Sequence, residues 1–446
     1  MNAEHILQMV KENNVELIRF LYTDNDGVTR GYAASADVLE GDLQKGHNFA
    51  RAMPFFSVMD DLVPDSRFGC TGELSGLPDP ATFRLLPYAP KTAMLLCDFR
   101  KKDDHGDSRV CPRSMLKEYL AGLDFEVNVA IENEFYLLVK DEQGNYTPFD
   151  KSRCFSTSGM NQQQAVAADI VRSLKAQGMS VEKYYPEYGR GQMEVVYSYS
   201  RALETADNQI AFRETVKGVA QNHGLIASFM PKPFAGFPGS GAHLHFSLQQ
   251  NGNNLFYDPQ GEYGLSQTAR YFIGGLLRHM HACCAFSAST VNSYKRLLPH
   301  CWASAYNCWG FDNREAAIRV CPGPKGNEAA AFNLEIKPAD PACNPYLAVL
   351  ACLAAGMDGI ANQIDPGEPL WTDPYDLSPE ELEQRRISRL PTTLQEAVDA
   401  LAADDFYRTL FSEVFLEEYI QLKRFAWNKY IEHVSDWETA LYMEAF

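Results

Sequence analysis

The sequence predicts a mixed α+β protein with more than one folding unit. Its 446 residues exceed the usual length of a single domain. Short apolar runs of strand-like composition alternate with amphipathic segments along most of the chain. A hydrophobic content of 46% is enough to fill a large buried core.

The first elements are a helix and a β-hairpin. Ala3 to Asn13 has the pattern of a helix, and the run from Val15 to Thr23 has the composition of a strand. Asn25-Asp26-Gly27 then supplies a turn, because these residues accept the backbone conformations of tight hairpins. Val28 to Ala34 is the predicted returning strand.

A long excursion follows the hairpin. Gly46 to Pro90 is rich in Pro, Asp and Gly, which predicts a long functional loop with little regular structure. Ala93 to Phe99 is the next predicted strand. The charged stretch from Lys101 to Arg109 predicts a boundary that divides the chain into domains 1–103 and 104–446.

The second domain alternates strands with helices. Its predicted helices are Gln162–Gln177, Ala202–His223, Gln267–Ser287 and Pro345–Ile364, and the chain from Leu394 onward is predicted to be largely helical.

Composition excludes several function classes. A formal net charge of -18 argues against nucleic acid or an anionic membrane surface as a partner. The N-terminus has no basic stretch leading into an apolar run, and no run of about 18 apolar residues occurs, so we expect neither a secretory signal nor a membrane span. The 11 cysteines are scattered without paired CxxC motifs, which predicts reduced thiols in a cytoplasmic protein.

Four predicted strands each carry two polar residues two positions apart inside an apolar segment. The pairs are Glu132 and Glu134, Gln192 and Glu194, His243 and His245, and Glu335 and Lys337. Residues at i and i+2 point to the same face of a strand, so each pair faces one way. Buried carboxylates need cations, and with Glu187 just before the second strand the set predicts a site for more than one hard divalent ion, Mg²⁺ or Mn²⁺.

Two other interpretations remain open from the pattern alone. A single Glu-x-Glu or His-x-His is usually the solvent face of an edge strand, and the pattern does not name a reaction. Arg296, Arg314 and Arg319 follow in two polar segments. Guanidinium groups bind phosphates and carboxylates bidentately, so these arginines suit substrate binding, although each alone fits a surface ion pair equally well.

An ordered set of motifs resembles one family. The motifs are Glu132-Asn-Glu-Phe-Tyr, Met230-Pro-Lys-Pro, Gly239-Ser-Gly-Ala-His-Leu-His, Asn292-Ser-Tyr-Lys-Arg, Asn313-Arg with Ala317-Ile-Arg, and Asn344-Pro-Tyr-Leu. Together they resemble the type I glutamine synthetases and their glutamate–amine ligase relatives over essentially the whole chain. The resemblance implies an N-terminal β-grasp domain, a catalytic domain around a curved antiparallel sheet, and homo-oligomers built as double rings (a dodecamer).

The resemblance also implies roles for individual residues. The metal nearer the substrate glutamate would be held by Glu134, Glu187 and Glu194. The metal on the nucleotide phosphates would be held by Glu132, His243 and Glu335. His245 and Ser247 match positions beside ATP. Arg314 and Arg319 match residues that contact phosphate. Arg296 and Gly239 match residues that contact the substrate glutamate.

The implied reaction uses ATP to phosphorylate the γ-carboxylate of glutamate, after which an amine displaces phosphate. Phosphorylation turns a carboxylate oxygen into a leaving group, and metals and arginines offset the gathering negative charge.

The sequence departs from the ammonia-using members at the amine site. Their catalytic Glu in a Gly-Tyr-Glu-Ala-Pro loop is replaced by Trp302, and their ammonium-binding Asp-Gly-Ser-Ser motif is unrecognisable, because the stretch reads Phe49-Ala-Arg-Ala-Met-Pro-Phe-Phe. We therefore expect a γ-glutamylamide synthetase for an organic amine. Arylamines are neutral at neutral pH, and an aromatic face also attracts alkylammonium by cation–π contact. The alternative is ordinary glutamine synthetase, with Trp302 as loop packing and Asp60 or Asp61 binding ammonium.

Smaller departures complete the prediction. Lys337 stands where the family usually has a second glutamate- or phosphate-contacting Arg, so it is a predicted substrate contact that keeps the charge but loses the bidentate fork. Asn333 replaces another Arg near the nucleotide. Tyr375 resembles a tyrosine that some members modify with AMP, over a short match. A non-catalytic relative would have lost metal ligands, and all six are present. His279 and His281 near Cys283 and Cys284 are predicted to be core packing rather than a zinc site.

Overall fold

The N-terminal hairpin begins the smaller of two sheets. The computed structural model describes residues 2–103, 106 and 108–446. Up to residue 103 its elements are α1 (Ala3–Glu12), β1 (Leu17–Thr23), β2 (Thr29–Ser35), α2 (Leu39–Lys45), β3 (His47–Ala50), β4 (Glu73–Pro78), β5 (Arg84–Leu85) and β6 (Thr92–Lys101). β1 and β2 pair antiparallel, β6 runs parallel to β1, and the strand order is β2-β1-β6-β4-β3 with β5 on β6. The predicted helix, hairpin and third strand are confirmed.

The segment from 46 to 90 contains more regular structure than its composition predicts. β3 and β4 both lie in it, and β4 pairs with β6 from Leu74 opposite Lys101 to Pro78 opposite Cys97. The prediction of little regular structure was wrong here, because pairing to a distant strand outweighs the low local strand propensity of Gly and Pro. Between β3 and β4 the chain is irregular apart from one short 3₁₀ turn.

The second domain is built on a larger sheet. Its elements are α3 (Pro112–Ala121), β7 (Glu126–Lys140), β8 (Tyr146–Pro148), α4 (Thr157–Ala176), β9 (Val181–Pro186), β10 (Gln192–Tyr197), β11 (Ser200–Arg201), α5 (Ala202–Asn222), β12 (Ile226–Ser228), β13 (Ala242–Gln250), β14 (Asn253–Asn254), α6 (Gln267–Ser287), β15 (Tyr306–Phe311), β16 (Ala316–Cys321), α7 (Glu328–Ala331), β17 (Asn333–Ile336), α8 (Pro345–Ala361), α9 (Pro379–Gln384), β18 (Ser388–Arg389), α10 (Leu394–Ala403), α11 (Asp405–Leu410), α12 (Glu413–Ile431) and α13 (Asp436–Tyr442). The four long helices and the helical C-terminal part are confirmed, and so is the α+β class.

The strand order of this sheet brings distant segments together. Across the described residues it reads β18-β15-β16-β17-β13-β7-β10-β9, with β8, β11 and β12 on β7 and β14 on β13. The sheet curls into a half-barrel. All pairs are antiparallel except β15 with β16. The four strands that carry the polar pairs, β17, β13, β7 and β10, are therefore consecutive neighbours.

Helix α8 is the centre of the main core rather than an amphipathic surface helix. Asn344 caps its first turn by accepting hydrogen bonds from the N–H groups of Tyr346 and Leu347, and nearly every residue as far as Gly356 is buried. A helix that is apolar all round is stable only inside the protein. Gly275 of α6 and Gly359 of α8 let the two helices touch, because a Cβ at Gly275 would lie 2.1 Å from the Ala355 carbonyl oxygen.

Buried ion pairs join the two domains. The guanidinium of Arg113, on α3, bonds Asp79 and Asp98 of the first domain at 2.9 Å and Asp207 of α5 at 2.8 Å. Lys423 Nζ, on α12, donates to Asp26 Oδ1 of the hairpin turn at 2.5 Å. The predicted boundary after residue 103 meets residues 104, 105 and 107, which lie outside the described part of the chain, so it stays a prediction.

The cysteines that the structure describes are all free thiols, as expected from their scatter. Cys283 and Cys352 lie closest in the α6–α8 core, with their Sγ atoms 3.4 Å apart. In the described residues, helices long and apolar enough to cross a membrane are absent.

Candidate active site

The register of the sheet places the four polar pairs on one face. His243 lies opposite Glu132, His245 opposite Glu335, and Glu134 opposite Glu194. Directly opposed residues of antiparallel strands project to the same side. The carboxylates and imidazoles that the sequence predicted to converge therefore share one surface of four adjoining strands.

One group of side chains has the geometry of a metal site. Ligand atoms of Glu132, His245 and Glu335 all lie within 4.8 Å of one another. His243 Nδ1 is 3.1 Å from Glu335 Oε1 and 3.7 Å from Glu132 Oε2, so it adjoins the same group. The resemblance gave the nucleotide metal to His243 and the ATP contact to His245, and the structure brings both imidazoles to these carboxylates.

His245 is prepared to act as a ligand. Its Nδ1 lies 2.8 Å from Oδ1 of Asn333, which can accept the Nδ1–H. Its Nε2 is buried, has no hydrogen-bond partner in the described chain, and faces Glu132 Oε1 at 3.6 Å. Fixed through Nδ1, the imidazole directs its other nitrogen at the carboxylates, as metal-binding histidines do. The residues present therefore fit a divalent ion.

A second group of carboxylates lies beside the first. Glu134 accepts the Gly241 N–H at 2.8 Å, Glu187 accepts the Tyr188 N–H at 2.9 Å, and Glu194 accepts the Tyr185 hydroxyl at 2.5 Å. Burial, with Glu132 and Glu134 nearby, raises the pKa of Glu194 to about 9. Burial and Glu134 raise the pKa of Glu187 to about 7. Acids that oppose one another's ionisation in this way are matched to cations, which supports the predicted second metal position.

Two cations balance Glu335. Arg319 Nε lies 2.8 Å from Glu335 Oε2, and Lys337 Nζ lies 3.4 Å from Oε1. Burial by itself would raise the pKa of Glu335, but Lys337 and His243 outweigh it and hold that pKa well below its usual range. Lys337 therefore supplies charge at the place where an arginine was expected. Ser247 continues the same face of β13 two residues beyond His245.

Arg296 and Gly239, the predicted glutamate contacts, touch each other. A Cβ at Gly239 would lie 2.5 Å from the Pro231 carbonyl oxygen and 2.6 Å from Arg296 Cγ, so only glycine fits. Arg296 is buried, and one Nη atom lies 3.1 Å from His243 Nε2. The other Nη is buried without a hydrogen-bond partner among the described residues. An unsatisfied buried guanidinium nitrogen fits an anionic ligand such as a substrate carboxylate.

Trp302 stands at the rim of this surface. Its ring meets Tyr188 edge to face at 5.2 Å, and the Arg314 guanidinium lies 5.9 Å from its centre. His300, Trp302 and Ser304 all have left-handed backbone conformations, with φ of 57°, 51° and 67°. Such residues cost about 1–3 kcal/mol each and persist only where the surroundings hold them. Ser304 Oγ donates to the Ala316 carbonyl, and the Trp302 N–H donates to Glu315, so neighbouring residues fix the loop.

Sequence reasoning missed three participants. Tyr185 bonds Glu194, Asn333 bonds His245, and Glu315 holds the Trp302 loop. Asn333 was noted only as a lost arginine, and nothing in the local pattern marked Glu315. His279, predicted to be core packing, is buried, and its two nitrogens bond Asp404 and Asp358 at 2.8 and 3.1 Å.

Comparison with known proteins agrees with this geometry. The family profile of the glutamine synthetase N-terminal domain matches residues 1–106, and that of the glutamine synthetase catalytic domain matches residues 109–442. The chain is 36% identical to glutamine synthetase of Methanosarcina mazei, over 99% of this chain and 97% of that one. It is 37% identical to glutamine synthetase of Methanocaldococcus jannaschii, over 99% of this chain and 98% of that one.

Solved structures give the same result. The structure of GmaS, γ-glutamylmethylamide synthetase, in complex with ADP is 32% identical, has a TM-score of 0.86, and covers 98% of this chain and 99% of that one. A structure described as a novel glutamine synthase homolog is also 32% identical, with a TM-score of 0.83, and covers 95% of this chain and 96% of that one. Family members use ATP and divalent metals. The chain is therefore an ATP-dependent carbon–nitrogen ligase and belongs to the glutamine synthetase family.

Proposed function

We propose that this ligase joins the γ-carboxylate of L-glutamate to an organic amine through a γ-glutamyl phosphate. The observation that carries the proposal is Trp302. It occupies the position at which ammonia-using relatives are expected to have a catalytic Glu, and its ring packs against Tyr188. Aromatic surface at that place suits the alkyl or aryl group of an amine better than the small, strongly hydrated ammonium ion.

Phosphorylation of glutamate takes place at the surface formed by β17, β13, β7 and β10. The divalent ions that the family uses would be held by Glu134, Glu187 and Glu194 and by Glu132, His243 and Glu335, with His245 beside them. Once bound, such ions offset the negative charge of the phosphates and polarise their oxygens. Mg²⁺ and Mn²⁺ both suit this carboxylate-rich set.

The protein's own cations complete this half of the reaction. Arg319 and Lys337 already lie against Glu335, so they supply positive charge where a transferring phosphoryl group would collect negative charge. Arg314 and Ser247 are proposed phosphate and nucleotide contacts. Arg296 has one buried Nη free of protein partners in the described chain, and we assign it to the substrate glutamate, beside Gly239.

The amine binds at the edge of this surface, next to Trp302. Trp302 and Tyr188 form two aromatic walls, and Tyr188 directly follows Glu187 in the carboxylate cluster. An amine held against these walls is adjacent to the place where the γ-carboxylate is activated. The likeness to GmaS, whose name refers to a methylamide product, supports an organic amine.

Ordinary glutamine synthetase is the second candidate. It is favoured by the curated relatives at 36–37% identity, which bear that name. It would require another acid to bind ammonium. Asp60, one of the two acids considered, is engaged with Arg30, whose Nη1 lies 2.6 Å from its Oδ1.

An amine panel tests the proposal. Phosphate release is measured with ATP, glutamate and Mg²⁺, comparing ammonium, methylamine, isopropylamine, ethanolamine and aniline by kcat/KM. We expect an organic amine to exceed ammonium by at least about tenfold, or about 1.4 kcal/mol in transition-state binding. Ammonium giving the highest kcat/KM would instead establish the second candidate.

The assembly is also part of the proposal. We expect a homo-oligomer of stacked rings, a dodecamer, acting on small molecules alone. Light scattering after size-exclusion chromatography measures the mass directly, and a monomeric mass would contradict this expectation.

A further inference from the structure

A buried carboxylate that the family resemblance does not predict lies directly beneath the Trp302 loop. Glu315 sits between Arg314 and the start of β16, and only 8% of its surface is exposed. Its Oε1 accepts the backbone N–H of Trp302 at 2.9 Å, and its own N–H donates to Asn313 Oδ1 at 3.0 Å. Its Oε2 has no hydrogen-bond partner among the described residues. One oxygen is therefore held in place while the other is available.

Glu315 faces the same cavity as Trp302. This cavity of about 450 Å³ is lined by three acids, Asp312, Glu315 and Asp373, together with His300, Trp302 and Arg314. Asp312 is exposed to solvent. Asp373 has both oxygens engaged, one 3.0 Å from His300 Nδ1 and the other accepting the Tyr375 N–H at 2.9 Å. Glu315 is the lining acid that is both buried and half unpaired in the described structure.

The charges around Glu315 favour a carboxyl group that takes up a proton readily. Burial and Asp373 raise its pKa, and the Trp302 N–H, Lys337 and His300 act in the opposite direction, with a raised pKa as the result. The N–H of Lys337, which belongs to the Glu335 cluster, donates to the Ala317 carbonyl at 3.0 Å, and Ala317 lies only two residues after Glu315. A general base works best when its pKa approaches the working pH.

We propose that Glu315 is the proton acceptor for the attacking amine, in place of the acid that Trp302 has replaced. This inference rests on the proposed function, because it assumes that an amine enters beside Trp302. The structure thereby supplies the base that the sequence of the loop lacks.

The chemistry balances in three steps. An alkylammonium ion transfers one proton to Oε2 of Glu315, which leaves a neutral amine with a free electron pair. That pair forms the nitrogen–carbon bond at the γ-carbonyl of γ-glutamyl phosphate, and the carbon–oxygen bond to phosphate breaks. The second proton on nitrogen leaves with the phosphate, and Glu315 releases its proton to solvent through the cavity.

The test compares a protonated with a neutral nucleophile in the intact enzyme carrying Glu315→Gln. Glutamine keeps an oxygen that accepts the Trp302 N–H but takes up no proton. Methylamine is protonated at neutral pH, since alkylammonium groups have a pKa near that of Lys, about 10.4. Hydroxylamine is a much weaker base and is already neutral there.

We expect E315Q to lose activity with methylamine but not with hydroxylamine. For methylamine, kcat/KM falls by about 100-fold or more, the usual contribution of a general base. For hydroxylamine it changes by less than about threefold. Raising the pH restores methylamine activity in the variant, because the free amine becomes available without a base.

Two further measurements separate catalysis from folding. Glutamate-dependent ADP formation without added amine stays at the wild-type level in E315Q, since phosphorylation does not need Glu315. Asp312→Asn, an acid removed from the same cavity, leaves the activity with both amines unchanged.

Several outcomes would overturn the assignment. An equal loss with methylamine and hydroxylamine would make Glu315 a residue that only holds the loop. No loss with either amine would remove it from the reaction altogether. The test works equally well with ammonium as the protonated nucleophile, so it remains decisive even if the wild-type enzyme prefers ammonium and the proposed function fails.

Discussion

Trp302 and Tyr188 meet edge to face, with ring centroids 5.2 Å apart and ring planes at 87°. The Tyr188 N–H donates to the carboxylate of Glu187, so this contact connects the Trp302 loop to the carboxylate cluster. Trp302 is 47% exposed and would otherwise pass for a surface side chain. The contact places the indole beside this cluster.

Trp302→Glu is expected to shift the substrate preference toward ammonium. An exposed cation–π or aromatic contact contributes about 0.5–2 kcal/mol, so its loss should lower the ratio of kcat/KM for the organic amine to that for ammonium about tenfold. Steady-state kinetics with both amines measures the ratio. Trp302→Phe is the control and should keep most of the wild-type preference. An unchanged ratio in W302E would show that the indole only packs the loop.

Metal binding should stabilise the protein, and Glu194→Gln should reduce that gain. When only the folded state binds the ion, Mg²⁺ or Mn²⁺ at about 100 times its Kd adds about 2.7 kcal/mol to the free energy of unfolding. Burial and repulsion from Glu132 and Glu134 raise the pKa of Glu194 to about 9, so the metal-free protein must take up a proton there on folding at neutral pH, and glutamine avoids this cost. The variant should therefore melt higher than wild type in EDTA and gain less from metal. Melting curves with and without metal test this, with exposed Glu182→Gln as the control, and equal metal gains in E194Q and wild type would contradict it.

Arg113 should be among the most sensitive positions for stability. Its guanidinium bonds Asp79, Asp98 and Asp207 at 2.8–2.9 Å inside the protein. Arg113→Met removes the guanidinium that these three carboxylates share, and breaking a buried ion pair costs about 3–5 kcal/mol. Arg113→Lys keeps the positive charge but loses the forked geometry of the guanidinium. Its urea midpoint should therefore fall between those of wild type and R113M. Arg172→Met, which removes an exposed ion pair with Asp169, should cost less than about 1 kcal/mol. A midpoint for R113M that matches R172M would disprove the role.

His279 should make stability depend on pH. Burial would lower its pKa, but Asp404 and Asp358 outweigh burial and raise it above the ordinary value of about 6.5. A raised folded-state pKa adds stability that is complete below the unfolded-state pKa and is lost as pH rises through the folded-state pKa.

The stability gap between wild type and His279→Gln should thus be largest near pH 6, at about 2 kcal/mol, and should narrow at alkaline pH. Urea titrations at a series of pH values measure the gap. His223→Gln, at an exposed pair with Asp169, is the control and should differ little from wild type. A gap for H279Q that stays constant with pH would rule out a contribution from the charged imidazole.

The local geometry of the site follows from the sequence alone. Because side chains alternate along a strand, Glu132 and Glu134 must share a face wherever β7 lies, and the same holds for His243 and His245 on β13. The long helices were predictable for a similar reason, since their hydrophobic period reports a local backbone geometry. The tryptophan at the expected position of an acid was predicted from the resemblance to the family.

The convergence of these faces was decided only by the tertiary structure. Strands β17, β13, β7 and β10 come from segments nearly 200 residues apart along the chain. Their order is set by which apolar faces bury together and which backbone groups can pair, and neither is encoded in a local pattern. The same long-range pairing created β3 and β4 within a segment whose composition predicted a loop.

Glu315 shows the difference between what the sequence determines and what the tertiary structure determines. In the sequence it is one acid among 58 acidic residues. In the folded protein the loop before β16 returns beneath Trp302, and this buries the carboxylate with one oxygen bound to a backbone N–H. The sequence alone determined which side chains exist and which way each strand presents them. The packing of distant segments determined their neighbours, and a carboxylate's neighbours fix its charge and its access to a proton.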